Sequence, residues 1–364
     1  PGYHPTPLLD LKGLAGELGI DALYYKDEST RFGLGSFKAL GGAYAVARLL
    51  QSEVATRLGR PVDMAEITSR QHDDLVAKVT VCCATDGNHG RSVAWGAQRL
   101  GCACEIFLHE TVSAFREEAI AAYGAQTNRC AGNYDDSVRI AQETARSEGW
   151  FVVSDTSYPG YREIPKDVMQ GYEIMAEEAF DAVSAVPTHI FLQTGVGGMA
   201  AAVVAQAVRR WGARRPTIVL CDPDRAACWF ESFRAAKPVV VGGDLDTLMA
   251  GLACGEISDL AWDILKDHAD GALAVPDGMA VEAMVRLARP ALGDPAVVAG
   301  ESATAGLAGL QLVLAHPEMR TELGIGPHAQ VMVFGTEGDT DPTVYEALVG
   351  CTAAQVLAAS GATG

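Results

Sequence analysis

The sequence predicts an α/β protein built on two largely parallel sheets, and three observations point there. From Val79 onward, short apolar runs alternate with amphipathic stretches that close on glycine, which is the pattern of repeated strand and helix. Two of the strand ends lead directly into glycine-containing turns that open helices, at 84–92 and 194–200. The chain has 364 residues and is 49% hydrophobic, enough to bury the core of two domains or of one large one.

The elements follow in order. "VTVCCA" (79–84) reads as a strand, "GNHGRSVAWGAQRL" as a helix ended by Gly101, and "CEIFL" (104–108) as the next strand. "VSAFREEAIAAY", closed by Gly124, and "DDSVRIAQETARS", closed by Gly149, repeat the unit, and "FVVSD" (151–155) ends the series. Repeated βα units imply a parallel sheet with helices on both faces. A second series runs through the helix "DVMQGYEIMAEEAF" (167–180), the strand "IFLQT", the helix "MAAAVVAQAVRRW", and the strands "TIVLCD" (217–222) and "AQVMVFG" (329–335). Gln51 to Lys78 is polar and mixed and reads as a helical insert, and "CTAAQVLAASGATG" as a terminal helix with a frayed end.

Composition narrows the partners. Lys and Arg number 28 against 46 Asp and Glu, a formal charge of −18, which repels phosphate backbones and anionic lipid and so argues against nucleic acid and membrane surfaces. The nine cysteines are scattered with no Cys-x-x-Cys pair, as expected of small buried residues in a reducing cytoplasm. No apolar run reaches membrane-spanning length, no secretory signal pattern is present, and the chain opens at Pro1 without a methionine, which leaves room for a preceding segment. The histidines form no spaced ligand set, so no structural metal is expected.

Three stretches carry chemistry. In "RFGLGSFKALGGA" (31–43), Lys38 stands among apolar and glycine residues, a setting that disfavours an ammonium and frees an amine as nucleophile or base; the plainer alternative is a lysine snorkelling from a helix face. "TGVGGMA" (194–200) follows a strand and opens a helix, where backbone amides hold phosphate. Gly195-x-Gly197-x-x-Ala200 also fits a dinucleotide fingerprint, with Asp222 placed to take ribose hydroxyls, so an NAD(P)-dependent oxidoreductase is a remote alternative that leaves Lys38 without a task. "ATDGNHGRS" (84–92) sets Asp86, Asn88 and His89 at the carboxyl end of a strand, where open α/β sheets bind ligands; the alternative is that Asp86 or Asn88 caps the helix. An amine, a phosphate loop and a polar strand-end cluster are together what pyridoxal 5′-phosphate requires, since it carries an aldehyde, a phosphate and a ring hydroxyl.

"RFGLGSFKALGGAYA", "ATDGNHGRSVAWGAQRLG", "IPKDVMQGY", "TGVGGMAAAV", "MAGLACGE" and "GTEGDTDP", in this order along nearly the whole chain, resemble the diaminopropionate ammonia-lyases. These are fold-type II, tryptophan-synthase β-like enzymes. The resemblance implies two α/β/α domains, a large one of residues 1–74 and 159–364 and a small one of 75–158, with the active site in the cleft between them. It implies that Lys38 holds the cofactor aldehyde with Phe37 beside it, that Asn88 bonds the ring hydroxyl, and that Gly195, Val196, Gly197, Gly198 and Met199 hold the phosphate. Thr336, within Gly335 to Glu337, is the counterpart of a residue facing the pyridine nitrogen.

Asp86 stands where related serine and threonine dehydratases carry a hydroxyl residue. In the resembled family this aspartate is the base for the D-isomer and the lysine the base for the L-isomer. Asp155 matches a further substrate-site aspartate, and two carboxylates suit a substrate with a distal ammonium. The implied reaction is α,β-elimination of ammonia from 2,3-diaminopropionate, giving pyruvate and two ammonia, in a homodimer. Gly35-Ser36, Lys166-Asp167 and "CGEISDLAW" depart from the family pattern. They keep open a serine, threonine or hydroxyaspartate dehydratase, or a β-replacement enzyme.

Overall fold

A computed structural model describes residues 2–85, 87–132, 134–291 and 293–361. Its strands are β1 (Leu8–Asp10), β2 (Ala22–Asp27), β3 (Thr80–Ala84), β4 (Ala103–His109), β5 (Gln126–Cys130), β6 (Phe151–Val152), β7 (His189–Gln193), β8 (Thr217–Pro223), β9 (Gly271–Val275) and β10 (Gln330–Gly335). They form two sheets, one of order β1-β2-β10-β7-β8-β9 and one of order β5-β4-β3-β6. Every pairing is parallel except β1 with β2.

The chain divides into two compact units, residues 1–37 with 173–364, and residues 38–172. The first holds the larger sheet. All five residues of β7 are buried, as expected of a strand covered on both faces. Phe191, Val219, Val331 and Val333 from the sheet join Leu307, Leu310 and Val313 of the helix Ala305–Ala315 in its core.

This unit also contains a buried ionic cluster. Arg31 donates to Glu28 at 2.8 Å and to Glu178 at 2.7 Å, and Lys26 reaches Glu178 at 2.6 Å. Two cations and two carboxylates balance, which is what allows charges to be buried. Just beyond Arg31, Phe32 (φ 53), Gly33 (φ 71) and Gly35 (φ 75) turn the chain through the left-handed region. Gly338 N then donates to Gly35 O at 2.9 Å and Phe37 N to Thr336 O at 3.0 Å. The segment that ends at Phe37 is thereby stitched to the residues following β10.

The second unit holds the smaller sheet. The helix Lys38–Leu58 packs on the helix Asn88–Leu100 through small residues. A Cβ on Gly96 would lie 2.8 Å from Ala43 Cα, and one on Gly42 would overlap Ser92 Oγ. That close approach joins residues 38–58 to this unit. The small domain expected at 75–158 thus lies inside a larger compact unit, which also takes in the short helices Met64–Thr68 and Asp73–Val76 of the polar insert. Gly101 ends its helix in the left-handed conformation, as the sequence suggests. No described helix is long and apolar enough to cross a membrane.

Candidate active site

In the first unit the glycine loop runs from Thr194 to the head of the helix Gly198–Trp211. Gly197 adopts φ 94, and a Cβ there would overlap the Trp229 indole, so only glycine fits. Trp229 Nε1 donates to Gly195 O at 2.9 Å and Ser258 N donates to Val196 O at 2.9 Å. With the carbonyls fixed this way, the first amides of the helix are the donors every helix N-terminus carries, together with its positive dipole end.

Asp222 lies beneath this loop and is fully buried. Its carboxylate accepts from the Thr194 hydroxyl, from Trp229 N at 2.7 Å and from Phe230 N at 2.9 Å. Burial nevertheless pushes its pKa up to about 7, against those three bonds. A carboxylate that is fully buried and already holds three internal donors presents nothing to a ribose, and the dinucleotide reading of Asp222 falls.

At the end of β10, Thr336 is buried and its Oγ1 accepts from Gln193 Nε2 at 2.9 Å. Glu337 is also buried and accepts from Ser302 N at 3.1 Å. Phe37 is buried, with its amide on Thr336 O.

In the second unit, Lys38 begins its helix, and its Nζ donates to Asp155 Oδ2 at 2.5 Å; the side chains are 19% and 13% exposed. The amine therefore sits in an ion pair and not in the apolar surround its sequence neighbours suggest, because Asp155 comes from a segment more than a hundred residues away. Burial alone would raise the Asp155 pKa, but the charges of Lys38 and His89 and the Lys38 hydrogen bond outweigh it and hold the carboxyl well below the usual range.

His89 is a neighbour the motif alone did not assign. Its Nε2 lies 2.8 Å from Val153 O and its Nδ1 3.8 Å from Asp155 Oδ2. A carbonyl only accepts, so Nε2 carries a proton and donates to Val153 O, while Nδ1 is buried without a hydrogen-bond partner.

The helix start at 88 is capped by Thr85, whose Oγ1 accepts from Gly87 N at 3.0 Å and Gly90 N at 3.1 Å. Asn88 is half-buried at the first helical position and is not needed as the cap. Asp86 lies outside the described residues. Among the described residues no group of three His, Cys, Asp or Glu side chains could hold a metal ion.

These features fit pyridoxal phosphate: a loop whose glycine gives way to no side chain, amides at a helix head, a buried hydroxyl and a lysine amine with a fixed counterion. A model of the pyridoxal-phosphate dependent enzyme family matches residues 1–331, and the chain belongs to that family. It is 40% identical over 356 residues to the diaminopropionate ammonia-lyase of Escherichia coli K12, covering 96% of this chain and 88% of that one. The fold is correspondingly similar to two crystal structures of the Escherichia coli enzyme, each covering 96% of this chain and 88% of that one. The complex with D-serine gives a TM-score of 0.86 at 37% identity. The complex with an aminoacrylate-PLP azomethine reaction intermediate gives 0.87 at 38%. The architecture is the fold-type II architecture of pyridoxal-phosphate enzymes.

Proposed function

We propose that this chain is a pyridoxal-phosphate dependent ammonia-lyase that eliminates ammonia from 2,3-diaminopropionate, in its L and D forms, to give pyruvate and two ammonia. The observation that carries the reading is the Asp155 carboxylate, held ionised 2.5 Å from the Lys38 amine. When Lys38 gives up its charge, Asp155 becomes a carboxylate in want of a cation, and a distal ammonium on the substrate supplies one. A hydroxyl leaving group, as in serine, would not.

Lys38 holds the cofactor aldehyde and exchanges places with the substrate amine. The loop of Gly195, Val196, Gly197, Gly198 and Met199 binds the phosphate, Asn88 the ring hydroxyl and Thr336 the pyridine nitrogen, with Phe37 beside the ring. When bound, pyridoxal phosphate supplies an electron sink for the electron pair left at the substrate α-carbon. The freed Lys38 amine takes the Cα proton of the L-isomer and Asp86 that of the D-isomer. A β-amino group kept as ammonium by Asp155 leaves as neutral ammonia, so no proton has to be added to it. Released 2-aminoacrylate takes up water to give pyruvate and the second ammonia. The substrate is a small amino acid, and a homodimer in the cytoplasm is part of the same proposal. The seven buried thiols, from Cys82 to Cys228, are each pushed up by burial, which keeps them unreactive.

The test is the ratio of ammonia to pyruvate released from separate L- and D-2,3-diaminopropionate, with serine and threonine as controls. Two ammonia per pyruvate with little turnover of the controls supports the proposal. Preferred turnover of serine or threonine, at one ammonia per keto acid, would replace it with a dehydratase.

A further inference from the structure

Gln193 closes β7 with a side chain only 3% exposed. Its amide nitrogen lies 2.7 Å from Phe334 O, 2.9 Å from Thr336 Oγ1 and 3.4 Å from Ala303 O. A carbonyl at 2.7 Å can only accept, so the NH₂ group and not the amide oxygen must face it. One hydrogen of that group goes to Phe334 O, and the other goes to Thr336 Oγ1, the nearer of the two remaining acceptors. The Thr336 hydroxyl thus receives a hydrogen bond from Gln193 and keeps its own hydrogen for a different partner.

The arrangement has a cost. Gln193 Oε1 is buried without a hydrogen-bond partner, beside Gly306, where a Cβ would come within 3.4 Å of it. Leucine or methionine at this position would remove that orphan oxygen but would take away the donor to Phe334 O and to Thr336 Oγ1, so the amide serves hydrogen bonding rather than packing.

We propose that Gln193 is a positioning residue that fixes the Thr336 hydroxyl as a hydrogen-bond donor, so that the cofactor's pyridine nitrogen is held neutral, as an acceptor. The inference rests on the reading of Thr336 as the partner of that nitrogen. It follows that the polarity of one buried amide sets the protonation state of the ring. A carboxylic acid in its place would reverse the relay: the oxygen in the position of Nε2 would donate its hydrogen to Phe334 O and accept from the Thr336 hydroxyl, turning the hydroxyl's lone pair outward toward a protonated nitrogen.

The experiment is ¹⁵N NMR of holoenzyme loaded with cofactor labelled at the ring nitrogen, where neutral and protonated pyridine resonate far apart. Wild type is expected in the neutral, hydrogen-bonded range. Gln193→Glu is expected to move the resonance toward the protonated range. Gln193→Met, close to isosteric, is expected to move it toward a nitrogen without a donor, with cofactor affinity reduced roughly tenfold. Thr336→Ala separates the two layers of the argument. If it moves the resonance while both Gln193 variants leave it at the wild-type position, the Gln193 inference is overturned and the Thr336 reading stands. If Thr336→Ala leaves the resonance unmoved, the Thr336 reading fails and takes the inference with it. Should Gln193→Glu not fold, the methionine variant decides alone, since an unmoved resonance there contradicts the proposal.

Discussion

Lys38 Nζ and Asp155 Oδ2 lie 2.5 Å apart, and His89 Nδ1 stands 3.8 Å from the same carboxylate oxygen. One carboxylate is thus shared by a primary amine and an imidazole whose other nitrogen is fixed on Val153 O. Asp155 therefore holds a negative charge beside the Lys38 amine, and that charge stays in place for whichever cation stands there.

Asp155→Asn keeps the shape and removes the charge. The expected outcome is a loss of about a hundredfold in kcat/KM for diaminopropionate, from one lost charge-assisted hydrogen bond of about 1.5–3 kcal/mol, with any residual serine turnover much less affected. Asp155 is held below its ordinary range, so its stabilising contribution is complete above about pH 4 and is lost only as pH falls below that. Steady-state kinetics on both substrates measure the split.

Asp222 has the opposite sign. Its pKa rises from 3.8 to about 7 on folding, so between those values the native state holds a proton that the unfolded chain has released. Stability therefore falls as pH rises through that window, by on the order of a few kcal/mol from this one group. Asp222→Asn is expected to flatten the fall, and thermal melts from pH 4 to 8 on both proteins check it. An unchanged slope would mean that Asp222 is ionised in the folded protein throughout.

Gly197→Ala is expected to cost about 2–4 kcal/mol, from a strained left-handed backbone together with an overpacked Trp229 ring. Because the strain falls on the loop proposed to hold phosphate, cofactor retention is expected to drop with it. Melting temperature and cofactor titration read the two effects separately. Gly212, also at positive φ (56) but with open space around the Cβ position, provides the control substitution.

Glu178→Ala leaves Lys26 and Arg31 with one carboxylate between them in a buried cluster. Removing one partner of such a cluster costs about 3–5 kcal/mol. Burial would raise the Glu178 pKa, but its bonds from Arg31, Lys26 and Tyr3 bring it down to about 2. Its contribution is complete above pH 4.5 and disappears as pH falls toward 2. Denaturant unfolding near neutral pH measures the loss.

Much of this was legible in the chain and some was not, for identifiable reasons. Strands with apolar runs, such as β7 and β8, follow from the sequence, whereas β5, "QTNRC", does not, because it is a sheet edge whose Glu105, Glu117 and Glu110 neighbours satisfy polar side chains. The segment "FVVSD" is a strand only over Phe151 and Val152; Val153 N still donates to Cys82 O, but Val153 O is taken by the His89 ring. Lys38 and the glycine loop announce themselves by local pattern. The Lys38 to Asp155 pair and the Gln193 to Thr336 bond join residues 117 and 143 positions apart, which no local pattern encodes. The buried cluster of Lys26, Glu28, Arg31 and Glu178 likewise closes only when Glu178 arrives from a distant segment.

Lys38 is proposed to be the amine that carries the cofactor. Borohydride reduction of the yellow holoenzyme followed by peptide mass spectrometry tests it directly. The pyridoxyl group is expected on the peptide containing Lys38, with the Lys38→Ala protein colourless and unlabelled. Label on another lysine, or undiminished label and colour in Lys38→Ala, would contradict the assignment of the site.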